Sequence, residues 1–384
     1  MNLLSRLRFL PNIDCRLLEA TLGEWKSQCP QMGVCVFLPE AQKEQLASVQ
    51  ASCADLQIPL VGGIFPALVH EGSFHADGLW LLRLDVMPFY LLLPDLPQDA
   101  DQAERQMEEL AQHITANLGA QDDVTLFMLF DAMVPNIGSL LDDLYLYLAN
   151  RVHYAGANAG SETFLPMPCL FDGQRLVSNG VLLMLLPGHR GAILEHGYHA
   201  PGQTVYATST QGNCITQIDW RPAFEVYQEL VQSQYGVQIT PDNFYEHAVH
   251  FPFGIVRANH HVVVRIPVML KEDGSLFCVG EVPANSLLTL LKSPSVDSTE
   301  TLQVLTAGLE AMDGPSAGSE LLLFYCAGRR MHLGQQEASV ELQAFGQRTQ
   351  AAQVAGALSL GEIGGSTLHG YPLFHNATLV AAHW

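Results

Sequence analysis

The sequence predicts a mixed α/β (α+β) fold in which two linked lobes each have a mainly β core covered by helices. Apolar runs of roughly four to eight residues recur between Gly, Pro and Asp, as is typical of buried strands. Segments with helical spacing of apolar side chains lie between these runs, so strands and helices alternate. The predicted strands are residues 34–38, 79–84, 89–93, 124–130, 181–186, 262–266 and 321–325.

Several segments carry the pattern of amphipathic helices. Residues 102–118 and 139–149 repeat apolar side chains at near-helical spacing. Residues 222–235 begin with a proline and end before Gly236, which are typical start and stop signals. A turn-forming sequence at 271–274 lies between two apolar runs and predicts a hairpin, so we expect antiparallel pairs beside the α/β alternation.

A weak internal repeat suggests that the two lobes share a core layout. The strand at 124–130, the helix at 139–149 and a glycine-rich turn at 154–160 form one unit. The run 321–325 and the turn at 355–361, with a helix between them, form a similar unit. Chance similarity between two strand–helix–glycine units is the alternative.

The charge balance excludes several classes of partner. The chain of 384 residues has 18 basic and 39 acidic residues, a net charge of −21. A surface this negative repels phosphate backbones and anionic headgroups, so we expect no nucleic acid and no membrane as a partner. No stretch reaches the ~18 apolar residues of a membrane span, and the N-terminal apolar run is too short for a signal peptide. We therefore expect a cytoplasmic protein.

The number and spacing of the cysteines are also consistent with a cytoplasmic protein. The chain has 8 of them, scattered and without a C-x-x-C pair. A zinc site would show close pairs, and a secreted disulfide scaffold would be shorter and denser in cysteine. Most of these side chains are therefore expected to be buried small hydrophobes.

Glycine-rich motifs occur in an order that resembles the FIST family. They are LVGGI (60–64), VHYAGANAG (152–160), GNCI (212–215), RPA (221–223), GEVP (280–283), YCAGR (325–329), GEIG (361–364) and FHNAT (374–378). The resemblance covers roughly residues 30–384. It implies an N-terminal extension (1–29), a FIST N-like domain (30–218) and a FIST C-like domain (219–384).

The resemblance also implies a function. The family is regarded as an intracellular sensory module, so we expect a binding protein for a small molecule or gas rather than an enzyme. Some bacterial stand-alone members are similar to haem-binding nitric-oxide sensors that regulate a histidine kinase. This makes haem a possible cofactor and a histidine kinase, or another signalling protein, a possible partner. Two alternatives stay open: a hydrolase of amide or ester type that uses Ser359 or Cys326, and an interaction scaffold without a ligand.

Histidines are the candidate ligands of a haem iron. His199 lies in a short loop near the predicted junction of the lobes, and His247 has aromatic neighbours that could line a porphyrin pocket. The remaining candidates are His196 and His250, followed by the adjacent pair His260 and His261. Each of these histidines is otherwise an ordinary surface or core residue.

The glycine turns are the candidate binding site for a small ligand. Glycine lets the backbone approach a ligand closely, and interfaces between lobes favour pockets. We therefore expect a pocket between lobes that join near residues 218–221, touching some of Gly156, Asn158, Gly361 and Glu362. Tight packing of strands against helices is the alternative for these turns.

Cys326 and Arg329 complete the candidate ligand-binding residues. Cys326 ends a predicted strand two residues before the sequence Gly328-Arg329-Arg330. Neighbouring cations lower the pKa of a thiol and favour the thiolate, which would suit a redox-sensing or ligand-sensing role. A buried structural cysteine is the alternative.

Overall fold

Three copies of one chain pattern form most of the molecule, which the computed structural model describes over residues 5–119, 123–200, 202–257, 261–292, 299–365 and 371–384. In each copy a helix leads into a strand, a helical crossover follows, and a second strand runs parallel to the first. A short hairpin comes next, and then a strand antiparallel to the first. In copies 1 and 2 one more short strand ends the pattern.

Copy 1 follows the strand Leu7–Leu10 (β1) and ends at residue 93. Its elements are Cys15–Gln28 (α1), Gly33–Pro39 (β2), Leu46–Asp55 (α2), Leu60–Phe65 (β3), Ala67–His70 (β4), Ser73–His75 (β5), Leu79–Leu84 (β6) and Tyr90–Leu93 (β7). Copy 2 runs from residue 100 to 195. Its elements are Ala100–Asn117 (α3), Val124–Asp131 (β8), Ile137–Leu148 (α4), His153–Ala159 (β9), Leu170–Asp172 (β10), Leu176–Val177 (β11), Val181–Pro187 (β12) and Ile193–Glu195 (β13).

A segment without this pattern separates copy 2 from copy 3. Its elements are Thr204–Tyr206 (β14), Ser209–Gln211 (β15), Cys214–Ile218 (β16), Arg221–Pro222 (β17), Ala223–Tyr235 (α5), Phe244–Ala248 (α6), Phe253–Val256 (β18), Val262–Arg265 (β19), Pro267–Leu270 (β20), Leu276–Cys278 (β21) and Leu287–Leu290 (β22). Copy 3 follows. Its elements are Thr299–Asp313 (α7), Glu320–Cys326 (β23), Ala327–Leu333 (α8), Gln335–Thr349 (α9), Gln353–Ser359 (β24), Glu362–Gly364 (β25), Leu373–His375 (β26) and Leu379–His383 (β27).

The copies exchange strands, so each large sheet contains strands from more than one copy. The strand orders are β1-β6-β2-β3-β10-β11, β7-β12-β8-β9-β25-β26 and β13-β27-β23-β24-β4-β5. The two central strands of each sheet are parallel. Every copy gives its hairpin to another copy's sheet, and β1 takes the place in the first sheet that β7 and β13 take in the others. We call this three-sheet body, residues 5–195 and 299–384, the prism.

The inner faces of the three sheets share one core. The ring centroid of Phe324 in the third sheet lies 5.6 Å from that of Phe37 and 5.8 Å from that of Phe65, both in the first sheet. It lies 6.2 Å from Phe127 in the second sheet. Rings at such distances pack favourably beyond the area that they bury. The outer faces of the sheets pack against the helices of their own copies.

Local signals in the sequence define several helix ends. Asp14 accepts a hydrogen bond from the backbone N–H of Arg16 and caps the start of α1. Asp99 accepts one from Gln102 N–H at the start of α3. Gly236 follows α5 with φ of 70°, a backbone angle that favours glycine, so the predicted stop of this helix is confirmed. No helix in the described part of the chain is long and apolar enough to cross a membrane.

The segment between copies 2 and 3 forms a smaller body of its own, which we call the insert (residues 196–292). It has two small sheets, ordered β14-β22-β18-β19 and β15-β16-β21-β20, with β17 beside β16. Helix α5 buries Tyr227 and Val231 in a core that these sheets share. The mixed α+β class is therefore confirmed, with two bodies that each have a β core and covering helices.

The border between the two bodies is not where the sequence predicts it. Residues 218–221 form the tip of the β16–β17 hairpin, and β16 also pairs with β21, so strands from both sides of residue 218 share one sheet. The C-terminal strand β25 pairs with β9 of copy 2. The sequence suggests a border here because the turn at Asp219 and Trp220 interrupts the apolar pattern, as a linker between domains does. In the structure the strands on both sides of this turn belong to the insert. The internal repeat predicted from the sequence at residues 124–160 and 321–361 corresponds to parts of copies 2 and 3. Copy 1 is a third instance of the same pattern.

Candidate functional site

The insert covers the end of the prism at which β8 and β23 finish. Gly328 at the start of α8 lies so close to Ile266 that a Cβ there would collide with it. On the copy 2 side, the backbone N–H of Ser139 donates to the Glu281 carboxylate of the insert. We call this contact region the seam. Two clefts open along it.

The apolar cleft has a cavity volume of about 30 Å³ and opens to solvent. Its prism wall includes Cys326, Gly328, Met331, Leu360 and Asn376, and its insert wall includes Tyr245, Val249, Ile266 and Val268. The polar cleft has a cavity volume of about 340 Å³. It is lined by His196, His199, His261 and His375, together with Glu195 and Tyr198. The volume of the polar cleft falls within the usual range of ~300–1,000 Å³ for ligand pockets, whereas the apolar cleft is much smaller.

A fully buried carboxyl group lies beneath the clefts. The Ser359 hydroxyl donates to Glu362 Oε1 at 2.5 Å, and the Thr378 hydroxyl donates to Oε2. Burial raises the pKa of Glu362 to about 7, although Ser359, Thr378 and the Cys326 thiol donate to it. The group therefore changes its charge near neutral pH inside the protein.

Six of the fourteen buried side-chain polar atoms that lack a protein partner in the described part of the chain lie at or beneath the seam. Both the oxygen and the nitrogen of the Asn158 and Asn376 carboxamides lack one among the described residues. The same holds for Nδ1 of His375 and the hydroxyl of Tyr198. Leaving such a group unpaired costs about 1–3 kcal/mol, and each case calls for an explanation such as a bound ligand or water.

The three copies provide an internal comparison for two of these polar residues. Gly62, Gly156 and Gly356 occupy one equivalent place, since a Cβ on any of them would strike the carbonyl oxygen of the neighbouring parallel strand. Counting from these glycines along the paired strands, Asn158 corresponds to Ile64 and Leu358, and Glu362 corresponds to Leu68 and Leu170. The fold is thus satisfied by apolar side chains at both places. At these two places copy 2 alone has an asparagine, Asn158, and copy 3 alone has a glutamate, Glu362.

Arg329 lies beneath the seam and connects the prism to the insert. Its guanidinium group pairs with Glu341 at 2.6 Å, and Nη1 donates to the His196 carbonyl oxygen at 2.8 Å. Burial alone would lower the pKa of Arg329, but the Glu341 carboxylate outweighs it and raises the pKa. Arg329 is therefore a positioning residue that fixes the loop carrying His196.

Cys326 lines the apolar cleft but is no thiolate. Burial raises the pKa of its thiol far above the ordinary value, and the nearby Glu362 carboxyl adds to that rise. Its sulfur accepts a hydrogen bond from Ala377 N–H at 3.0 Å. The expectation that neighbouring cations lower this pKa is wrong, because Arg329 pairs with Glu341 and Arg330 with Glu162.

The histidines predicted as iron ligands lie in different places. His196 and His199 line the polar cleft, and backbone hydrogen bonds in both directions hold His199 against Lys292. His247 and His250 are not among the residues that line either cleft. His250 instead approaches His332 of the prism, with 2.7 Å between their Nδ1 atoms.

The aromatic neighbours proposed for His247 are mostly part of the insert's core. Phe244 and Phe253 both contact Tyr227, and Phe251 contacts Tyr235. These three rings pack within the insert and line neither cleft, whereas Tyr245 and Met269 are exposed. His260 lies outside the described residues.

The four residues of the glycine turns lie beneath the clefts rather than in their walls. Gly156 keeps two parallel strands close, and a Cβ on Gly361 would strike the Phe374 ring. Sequence reasoning missed two residues of the seam, His375 and Asn376. The pKa of His375 lies well below its ordinary value, mainly because the ring is buried and also because His196 and Arg265 are near. An alignment of the three copies would have drawn attention to this region.

The polar cleft is the place where a haem could be held. The described residues include no group of three or more His, Cys, Asp or Glu side chains arranged for a metal ion. A haem iron needs only one imidazole from the protein. His199 is exposed in this cleft, and Leu194, Val262 and Leu373 give the cleft an apolar wall. His199 and His196 are therefore the residues of this cleft that would hold a haem iron if haem bound here.

Two protein-family models match the chain. The model described as the FIST N domain matches residues 33–221, and the model described as the FIST C domain matches residues 223–365. No curated protein matches the sequence. The border between the two matched segments falls inside the insert, next to β17.

Proposed function

Because the chain belongs to the FIST family of signal-transduction sensory domains, we propose that it senses a small ligand bound at the seam between prism and insert. One observation carries this proposal: the unpaired atoms of Asn376, His375 and Tyr198 gather where two clefts open. A ligand that contacts both walls would change how the insert rests on the prism. A histidine kinase or another signalling protein would read that change.

The same region gives little support to catalysis. Ser359 and Cys326 are both buried, and both donate to Glu362 rather than to an imidazole. A serine or thiol nucleophile needs access to substrate and a base that activates it. We therefore keep the hydrolase alternative only as an outcome of the test, in which generic esters or amides would be turned over.

All eight cysteines are unpaired, which supports a reducing compartment such as the cytoplasm. We propose that the protein acts there.

The test is a thermal-shift screen of small molecules with two blocking variants. Met331→Trp fills the apolar cleft and His199→Trp fills the polar cleft. Both side chains are partly or fully exposed, so neither change is expected to unfold the protein. Val340→Trp, on the outer face of α9 and exposed, is the matched control. A compound at 100 times its Kd stabilises the native state by about 2.7 kcal/mol.

We expect compounds that stabilise the parent and the Val340→Trp variant but fail with one of the two blocking variants. The variant that fails identifies the cleft. Compounds that stabilise all four proteins equally would place binding elsewhere and overturn the proposal. Rapid ester turnover abolished by Ser359→Ala would replace it with the hydrolase alternative.

A haem-based sensor is the second candidate, favoured by the four imidazoles of the polar cleft. When bound, haem would supply an iron atom that takes up nitric oxide. His199, fixed by its backbone pairing with Lys292, would present its ring to the iron. His196 is the alternative ligand, positioned by Arg329.

Haem titration followed by visible spectroscopy tests this candidate. We expect a Soret band in the parent and a loss or shift of that band in His199→Ala or His196→Ala. His247→Ala serves as the control, since that side chain lies away from both clefts. A parent that takes up no haem, or cleft variants that keep the parent spectrum, would exclude haem at this site.

A further inference from the structure

The wall of the apolar cleft includes a buried polar side chain, that of Asn376, for which the described residues provide no hydrogen-bond partner. Its walls are otherwise built from groups such as Val249, Ile266, Met331 and Leu360. Asn376 is 1% exposed, and neither polar atom of its carboxamide has a partner among the residues that the structure describes. An unpaired buried amide costs the fold free energy, so its presence in an apolar wall requires a reason.

Two other polar side chains of this cleft, Glu162 and Cys326, already have hydrogen-bond partners. Glu162 forms a bidentate pair with Arg330, with N–O distances of 2.5 and 2.6 Å. Cys326 accepts a hydrogen bond from Ala377 N–H, and its buried thiol stays neutral. A charged ligand would therefore lose its hydration without gaining a counter-charge in the wall, which is unfavourable. The cleft suits a neutral molecule.

The carboxamide also defines the polar group of that molecule. It offers one acceptor and one N–H donor side by side in a plane. The complementary arrangement is a donor beside an acceptor, as in an amide whose N–H and C=O point the same way. A ligand of this kind would satisfy both orphan atoms of Asn376 at once. The rest of the ligand would contact apolar side chains.

We propose that the apolar cleft binds a small, neutral, mainly apolar molecule that carries an amide group, and that Asn376 pairs with this amide. This inference rests on the proposed sensory function and names the class of ligand. The cavity of about 30 Å³ beside Asn376 has room for the amide group, and the rest of a compact ring compound would lie along the part of the apolar wall that opens to solvent.

The experiment compares two probes, ε-caprolactam and N-methylcaprolactam, by ligand-observed NMR titration with the full chain. In the first, the ring holds the N–H and C=O side by side; in the second, a methyl group replaces the donor hydrogen. We expect caprolactam to bind, and N-methylcaprolactam to bind about tenfold more weakly, because the Asn376 oxygen stays unpaired. Met331→Trp is expected to abolish both signals.

Two asparagine variants complete the design. Asn376→Leu should remove the preference for caprolactam, so that the two probes bind with equal affinity. Asn158→Leu is the matched control: it also removes a buried unpaired carboxamide, but one outside the cleft wall, and a leucine occupies the equivalent place in copy 3. It should keep the preference. If Asn376→Leu does not fold, the methylated probe and Met331→Trp still provide the comparison.

Equal affinity of the parent for both probes would overturn the inference, as would a preference that survives in Asn376→Leu. Failure of both probes to bind would also overturn it. The proposed function has its own outcome, since other compounds that lose their effect with Met331→Trp or His199→Trp would support a seam ligand of another class.

Discussion

Replacing Glu362 with glutamine should change how the stability of this protein depends on pH. In the folded protein burial raises the pKa of Glu362 from 4.5 to about 7. The folded state therefore holds a proton that the unfolded chain releases above pH 4.5. The resulting stabilisation is fully present below that pH and is lost as the pH rises towards 7. Glutamine keeps the shape of the protonated group and cannot release a proton.

The magnitude follows from the difference in pKa. A difference of about 2.5 units, at about 1.36 kcal/mol per unit, gives about 3 kcal/mol. For a chain of this length that corresponds to a shift of the unfolding temperature of about 4 °C. We expect the parent to lose most of this amount between pH 5 and pH 8, and Glu362→Gln to keep it.

The assay is thermal unfolding followed by far-ultraviolet circular dichroism at several pH values between 5 and 8. Buried histidines such as His375 have lowered pKa values, so their effect has the opposite sign. It is common to both proteins and cancels in the difference. Glu108→Gln, at an exposed position on α3, is the control and should follow the parent. Parallel profiles of the parent and Glu362→Gln would refute the reasoning.

Three further changes have defined outcomes. Arg329→Gln leaves a buried carboxylate uncompensated and should destabilise the fold by about 3–5 kcal/mol in urea titrations; a loss below about 1 kcal/mol would contradict the buried ion pair. A thiol reagent such as dithionitrobenzoate should label exposed Cys15 in the native protein and Cys326 only after denaturation; fast native labelling of Cys326 would show that the seam is open. Gly156→Ala forces a Cβ onto the neighbouring strand and should cost more than about 4 kcal/mol, whereas Gly23→Ala, in open space on α1, should stabilise by up to about 1 kcal/mol; equal effects in calorimetry would argue against the strand spacing.

Local patterns in the sequence predicted the secondary structure well because they report burial and turn chemistry. The run at 79–84 is strand β6 without change, and the helix expected at 102–118 is Ala100–Asn117. The exchange of hairpins between copies was not predictable in this way. Strands as short as Ala67–His70 carry too few side chains to identify a partner more than 250 residues away in the sequence.

The candidate site was likewise predictable only in part, because the sequence identifies residues but not the side chains that surround them. Asn158, Glu362 and Cys326 were identified from the sequence, and the structure places them at or just beneath the seam. What the sequence did not give was their burial, which decides whether a thiol is charged and whether a carboxyl keeps its proton. Asn376 lies in a motif noted from the sequence, but its unpaired carboxamide becomes visible only when the neighbouring side chains are known.

The exchange of strands also bears on what an isolated FIST N or FIST C segment can do. Cutting the chain at residue 222 would leave β14–β17 without the strands that complete their sheets, and β25–β26 without β9. Each fragment would expose long unpaired sheet edges, which invite aggregation. Supplied together, the two fragments could bury those edges only against each other. The two segments recognised in the sequence are thus not separate folding units, because their strands complete each other's sheets.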